Sequence, residues 1–96
     1  MTVYALAQLT IHDRTAYGRY QARFMDVLNR FNGRLLASDE SPLVLEGTWD
    51  REKAVLLAFA DQDAFLAWAG SPDYQEIAKD RKTGADAVVL LLKGVS

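Results

Sequence analysis

Apolar and polar residues alternate along residues 3–11, VYALAQLTI, a segment that is also rich in the β-branched and aromatic residues typical of strands. In a β-strand, successive side chains point to opposite faces of the sheet. Val3 and Leu9 therefore lie on one face of the predicted first strand, and Tyr4 and Leu6 lie on the other.

A second strand is predicted over 34–38, RLLAS. It is interrupted at 39–42 by a turn or bulge, because Pro42 has no N–H to donate to a strand ladder, and it resumes over 43–49. A tight turn then leads into the third strand, 53–59, which we expect to be the hairpin partner of the second.

The residues between the first two strands have the periodicity of an α-helix. Asp13 is the predicted N-cap, and at about 100° per residue the apolar side chains fall within one arc as far as about Phe31. Asn32 and Gly33 end this helix, and a residue in the left-handed conformation is the predicted C-cap.

A second helical region follows the third strand and is divided into two pieces. Asp61 caps the first piece, and Gly70 ends it. Ser71 as N-cap and Pro72 at the first helical position begin the second piece, which runs to about Lys82.

A loop over 83–86 leads to the final strand, 87–95. The order of elements is β-α-β-β-α-β, the ferredoxin-like arrangement of an antiparallel sheet with both helices on one face. We therefore predict an α+β fold and a single domain over residues 1–96, with no internal repeat and no linker.

The outer face of this sheet would be polar if water covered it, but the sequence predicts an apolar surface. The segments AVLLAF and AVVLLL are apolar on both faces, and the first strand adds Tyr4 and Leu6. Such a surface would exceed the few hundred Å² of apolar patch usual on a soluble monomer. We expect a second copy to cover it, giving a homodimer through the sheet face. The alternative is that this face carries only scattered surface Leu and Val.

Composition excludes several classes of protein. The chain has no cysteine, which excludes disulfides and sulfur ligands and is typical of a cytoplasmic protein.

No apolar run approaches the ~20 residues that span a bilayer, and the N-terminus lacks the basic region of a signal peptide, so we expect no membrane partner. Five Arg against two Asp over residues 1–38 give +3 and leave −5 for the remainder, too mild an asymmetry to predict a nucleic-acid partner.

Several short motifs occur in an order that resembles a known family. They are Tyr17 and Tyr20 in the first helix, then NGRLLAS, VLEGTW, a strand ending in AF, AWAGSPDY and a closing LLLKGV. Together they resemble the domain of unknown function 1330 family over nearly the whole chain. The resemblance implies a dimeric α+β barrel, as in the antibiotic-biosynthesis monooxygenases and the muconolactone-isomerase-like proteins, and it implies no particular activity. The sequence departs from the family pattern at Ala69, where the family usually has tyrosine.

Three polar residues outside the helices are candidates for chemistry. His12 is the single histidine, and at the end of a strand it could act as a general base or remain an exposed polar residue. Arg34 and Glu46 lie on strand segments predicted to be neighbours, where they could orient a carboxylate and polarise a carbonyl, or form a structural pair. One His without Cys gives no zinc site of those ligands, and we expect neither metal nor cofactor.

Five large residues are predicted to point inward from the helices, namely Tyr17, Tyr20, Trp68, Tyr74 and Arg81. The aromatic residues could pack the core or bind a ligand, since Tyr and Trp each carry a polar atom that needs a partner. Arg81 falls on the same side of its helix as Tyr74, which is unusual for an arginine. It could bind an anionic ligand or have a structural partner at the edge of the sheet.

The sequence supports two kinds of function. The first is a small-molecule binding protein for an apolar or aromatic acid, extending to a cofactor-independent enzyme of the monooxygenase or isomerase kind. The second is a structural or protein-interaction module, in which the same inward residues serve only the core and the dimer. The size of the internal cavity separates them, because a cavity well below ~300 Å³ favours the second.

Overall fold

The computed structural model describes residues 1–95 of the chain, which form four strands and three helices. In chain order these elements are β1 (Val3–Ile11), α1 (Arg14–Arg30), β2 (Arg34–Asp39), β3 (Lys53–Phe59), α2 (Gln62–Ala69), α3 (Pro72–Gly84) and β4 (Ala85–Lys93). No helix within residues 1–95 has both the length and the apolar character needed to cross a membrane.

The four strands form one antiparallel sheet in the order β2-β3-β1-β4, and the helices cover one of its faces. The predicted α+β, ferredoxin-like fold is therefore confirmed. The central strands β1 and β3 pair from Val3 with Phe59 to Leu9 with Lys53. This register places the inner-face residues of both strands side by side beneath the helices.

The core lies between the inner face of the sheet and the helices α1 and α3. Val3, Leu9 and Phe59 of the sheet are each at most 5% exposed. Leu28 of α1 and Ile77 of α3 are fully buried against this layer. Burying side chains of this size contributes about 1.5–3 kcal/mol each, so these contacts hold both helices on the sheet.

The predicted signals at both ends of α1 are confirmed. Asp13 Oδ1 accepts hydrogen bonds from the N–H groups of Thr15 and Ala16, both at 3.1 Å. At the other end, Asn32 has a φ of 58°, the left-handed conformation that ends many helices. The chain therefore leaves the helix where the sequence predicts and enters β2.

Hydrogen bonds around one serine form the break between α2 and α3. Ser71 Oγ accepts the N–H of Tyr74 at 3.0 Å and donates to the carbonyl oxygen of Trp68 at 2.8 Å. Pro72 begins α3, where its missing N–H removes no helical hydrogen bond. The break brings Trp68 and Tyr74 together, with ring centroids 4.1 Å apart.

The predicted strand over 43–49 is wrong. β2 ends at Asp39, and residues 40–52 form a loop. β3 is already bonded to β2 on one side and to β1 on the other, so it has no edge left for another segment. The loop folds over the outer face of the sheet instead, where Trp49 Nε1 donates to Gln8 Oε1 at 2.8 Å.

The predicted loop over 83–86 is also wrong, because α3 continues to Gly84 and β4 begins at Ala85. The Gly84 carbonyl accepts the N–H groups of His12 and Asp13 at 2.9 and 3.0 Å. These bonds hold the end of α3 against the junction of β1 and α1. The chain can therefore pass from helix to strand without an intervening loop.

The outer face of the sheet is apolar and largely uncovered, as the sequence predicts. On β4, Val88, Leu90 and Leu92 are 41%, 43% and 43% exposed. Tyr4 and Leu6 lie beside them on β1 and are half-buried. The helices thus leave a continuous apolar strip exposed across β1 and β4.

We predict that Gly33→Ala destabilises the protein by about 1–3 kcal/mol, the usual cost of overpacking a core. An added Cβ would lie 2.8 Å from Phe59 Cε1 and would also overlap Leu28. Gly18 is the matched control, because a Cβ there meets nothing within 4 Å. Gly18→Ala should stabilise α1 by about 0.5–1 kcal/mol. Urea denaturation measures both, and an unchanged free energy of unfolding for Gly33→Ala would contradict the close approach.

Candidate functional site

A cavity of about 380 Å³ lies between the helices and the inner face of the sheet. Small side chains leave this space, namely Ala5 and Ala7 on β1 and Ala78 on α3. Six aromatic side chains line the cavity: Tyr17, Tyr20, Phe24, Phe65, Trp68 and Tyr74. Its volume lies in the range of ~300–1,000 Å³ that is usual for ligand pockets.

The aromatic side chains hold each other in place. The hydroxyls of Tyr20 and Tyr74 are 3.0 Å apart and share a hydrogen bond between α1 and α3. Their rings meet edge to face, and Phe24 meets Trp68 in the same way. Edge-to-face pairs contribute about 0.5–1.5 kcal/mol beyond the area they bury. The lining is therefore an ordered apolar surface with hydroxyl groups at defined positions.

Two donors at the cavity have no acceptor among residues 1–95. Trp68 Nε1 and Arg81 Nε are both buried without a hydrogen bond. Trp68 is only 4% exposed, and leaving a buried donor unpaired costs about 1–3 kcal/mol. Since both unpaired atoms are donors, a molecule with acceptor oxygens would complement them.

Lys53 brings a cation to the cavity from the sheet. It occupies an inner-face position of β3, in phase with Leu57, and is 2% exposed. Its Nζ lies 4.8 Å from the centre of the Tyr17 ring and 3.9 Å from Glu40 Oε2. Burial lowers the pKa of the Lys53 amine; Glu40 opposes this shift, and Arg14 adds to it.

Two of the tyrosines stay protonated far above neutral pH. Burial raises the pKa of Tyr17 to about 12, with Glu40 adding to the shift and Arg81 opposing it. Burial also raises the pKa of Tyr20 well above its usual value, as does the Tyr74 hydroxyl beside it. At neutral pH the cavity therefore presents the neutral hydroxyls of Tyr17 and Tyr20, and the basic side chains of its lining are Lys53, Arg81 and Lys82.

The structure brings together five of the residues that the sequence singled out. Tyr17, Tyr20, Trp68, Tyr74 and Arg81 all line this one cavity. Their inward arrangement follows from helical periodicity, whereas a ligand-binding role for them stays a prediction. Arg81 in particular has no Nε partner within residues 1–95, so the structural pairing considered from the sequence is not observed there.

The other three candidates lie outside the cavity. The predicted pairing of Arg34 with Glu46 is wrong, because Glu46 lies in the loop over 40–52, and both side chains are exposed. His12 is exposed at the end of β1, with Nε2 3.7 Å from Asp86 Oδ1. Among residues 1–95, no three His, Cys, Asp or Glu side chains come together in the manner of a metal site.

Sequence reasoning missed Lys53 as a cavity residue. The signal was present, because Lys53 stands two residues before Val55 and four before Leu57, on the same face of a strand. Lys53 is the first residue of the predicted third strand, where a lysine side chain is ordinarily expected to reach solvent. The register with Leu9 places it under the helices instead.

We predict that stability falls at high pH more steeply in the wild type than in Tyr17→Phe. An unfolded tyrosine ionises near 10.0, whereas the folded Tyr17 keeps its proton up to about 12. The contribution of Tyr17 is therefore fully present below pH 10 and is lost as the pH rises through 12. Urea denaturation at pH 9 and pH 11.5 measures the difference, and parallel pH profiles for the two proteins would contradict the burial of this hydroxyl.

Solved structures with a similar fold include proteins with and without a known activity. A protein of unknown function from Rhodopseudomonas palustris is 19% identical, with a TM-score of 0.82 over 99% of this chain and 83% of that one. SnoaB, a cofactor-independent oxygenase from Streptomyces nogalater, is 16% identical, with a TM-score of 0.69 over 99% and 94%. A dimeric ferredoxin-like protein of unknown function from Jannaschia sp. CCS1 is 18% identical, with a TM-score of 0.72 over 98% and 100%.

At these identities the likeness shows the fold alone. No curated protein matches the sequence. The model of the domain of unknown function DUF1330 matches residues 2–95, which is nearly the whole chain. The chain therefore belongs to the DUF1330 family, as the order of its motifs implies.

Proposed function

We propose that the protein binds a small apolar or aromatic molecule with an acidic group in the cavity between its helices and its sheet. One observation carries this proposal. The unpaired donors Trp68 Nε1 and Arg81 Nε both belong to residues that line the cavity. Buried polar groups in proteins nearly always have a hydrogen-bond partner, so two unpaired donors at one cavity indicate a missing acceptor. A carboxylate, which only accepts hydrogen bonds, suits both.

The rest of the lining fits the apolar part of such a molecule. Trp68 and Tyr74 offer ring faces, and Ala5 and Ala7 leave room against the sheet. The volume of about 380 Å³ is above the lower limit of ~300 Å³ for ligand sites. This supports ligand binding over the alternative of a structural or interaction module, in which the same residues would fill the space themselves.

We also propose that the protein is a homodimer through the outer face of its sheet, forming an α+β barrel. The support is the exposed strip that includes Val88, Leu90 and Leu92. A second copy related by a twofold axis would present the same strip and cover it. The Jannaschia protein of the same fold is dimeric, which adds support at the level of fold.

Cofactor-independent catalysis is the second candidate function. The observation that favours it is the combination of cations and neutral hydroxyls in one apolar cavity, which would stabilise the anion of an enol or phenol. Such an anion can pass electrons to dioxygen itself. The carbon that lost its proton bonds to dioxygen, and the proton returns to give a hydroperoxide. The hydroperoxide then loses water, so that the original CH₂ carbon becomes a carbonyl. SnoaB, which has a similar fold, is a cofactor-independent oxygenase, and this adds support at the level of fold.

We predict that Arg81→Met weakens the binding of 2-naphthoate by about 10- to 100-fold, as expected for losing a charge-assisted hydrogen bond. Arg23→Met is the matched control, since Arg23 is an exposed arginine of α1 outside the cavity. Calorimetry measures both affinities, and thermal unfolding confirms that each variant is folded. If the wild type binds neither 2-naphthoate nor other aromatic acids at millimolar concentration, the proposal fails and a structural or interaction module is favoured.

We predict that the wild type elutes as a dimer in size-exclusion chromatography with light scattering, and that Leu90→Asp elutes as a monomer. A carboxylate at the centre of the strip would be desolvated in the dimer without a partner. Leu66→Asp is the control, because Leu66 is 52% exposed on α2, compared with 43% for Leu90, but lies away from the sheet face. A wild-type monomer at micromolar concentration, or equal effects of the two substitutions, would contradict the dimer.

A further inference from the structure

We propose that Lys53 is a second anion-binding residue of the cavity, so that the ligand carries two anionic oxygen groups, one bound by Arg81 and one by Lys53. This inference rests on the proposed function and narrows it. It identifies the ligand class as an aromatic or apolar diacid, or an acid with a second ionised oxygen.

The position of Lys53 is the first support. The other inner-face residues of β3 are Val55, Leu57 and Phe59, which are all apolar. A lysine that is 2% exposed in such a layer is rare unless an anion compensates its charge. The Lys53 side chain is also part of the cavity lining.

The protein itself compensates this charge only in part. Glu40 Oε2 is 3.9 Å from Lys53 Nζ, which is too far for a hydrogen bond. Glu40 instead accepts a hydrogen bond from Arg14 Nη1 at 2.9 Å, on the protein surface. Lys53 Nζ also lies 4.8 Å from the centre of the Tyr17 ring. This is a cation–π contact, which provides no acceptor oxygen for the N–H groups of the amine. Neither of these two contacts is a hydrogen bond, so the N–H groups of the Lys53 amine could donate to an anionic oxygen of a ligand.

Lys53 and Arg81 belong to different layers of the fold. Lys53 comes from the sheet and Arg81 comes from α3, and both line the same cavity as Tyr17 of α1. Like charges in a space of low polarity repel each other, and a ligand with one anionic group at each cation would relieve this. The apolar part of the ligand would then lie against Trp68.

The experiment compares diacids with matched monoacids. The pairs are naphthalene-2,6-dicarboxylate with 2-naphthoate, and the three benzenedicarboxylate isomers with benzoate, which together cover a range of spacings between the acidic groups. We expect the best diacid to bind wild-type protein about 10-fold or more tightly than its monoacid, the effect of one further charge-assisted hydrogen bond. In Lys53→Met this ratio should fall to about one.

Lys79→Met is the matched control, because Lys79 is an exposed lysine of α3 that pairs with Glu76 outside the cavity. It should keep the diacid preference of the wild type. We expect Lys53→Met to fold, since replacing a buried charge by an apolar side chain of similar length is often neutral or stabilising. If it does not fold, Lys53→Gln removes the charge while keeping hydrogen-bond donors, and it must also lose most of the preference.

The outcomes distinguish this inference from the proposed function. If the wild type binds monoacids but no diacid more tightly, Lys53 is not a second anchor, and the proposed function stands. The same conclusion follows if Lys53→Met keeps the diacid preference. If neither monoacids nor diacids bind, the proposed function itself fails and this inference fails with it.

Discussion

Polar atoms enclosed between the helices and the sheet must find partners there, and this constraint organises the interior of the protein. The hydroxyls of Tyr20 and Tyr74 satisfy each other across α1 and α3. Trp68 Nε1 and Arg81 Nε find no acceptor within residues 1–95. Unpaired buried donors are costly, and a protein retains them where a ligand completes the site. The interior therefore consists of a packed core and a cavity whose lining residues carry two unpaired donors.

The division between core and cavity follows from side-chain size along the sheet. Where Phe59 of the sheet meets Leu28 and Ile77 of the helices, large apolar side chains fill the space completely. Where β1 carries Ala5 and Ala7, the side chains are too small to fill the space, and a cavity remains. The Ser71 break then turns the chain so that aromatic rings surround this space. The size of the side chains on the sheet therefore divides the interior into a filled core and an open cavity.

The two faces of the sheet differ in what they contact. The inner face supports the helices and the cavity, whereas the outer face carries exposed Leu and Val on β4. The loop over 40–52 covers only part of the outer face, through Trp49 and its hydrogen bond to Gln8. A dimer through this face would leave the proposed ligand site within each subunit, since the cavity lies on the opposite side of the sheet.

The sequence by itself determined the element types outside residues 43–49, the caps and the inward direction of the large residues. These depend on local periodicity and on capping side chains such as Asp13 and Ser71. It could not determine strand pairing. Residues 43–49 have strand composition, yet both edges of β3 are taken by other strands, which only the assembled sheet decides.

The tertiary structure likewise decided the chemistry of the cavity. Strand register alone placed Lys53 beneath Tyr17, and loop geometry alone separated Glu46 from Arg34. Helical spacing predicted that Arg81 points inward, but only the packed helices show that its Nε meets no acceptor among residues 1–95. Local sequence sets the direction of a side chain, whereas its partners come from segments distant in the chain, and these are brought together only by folding.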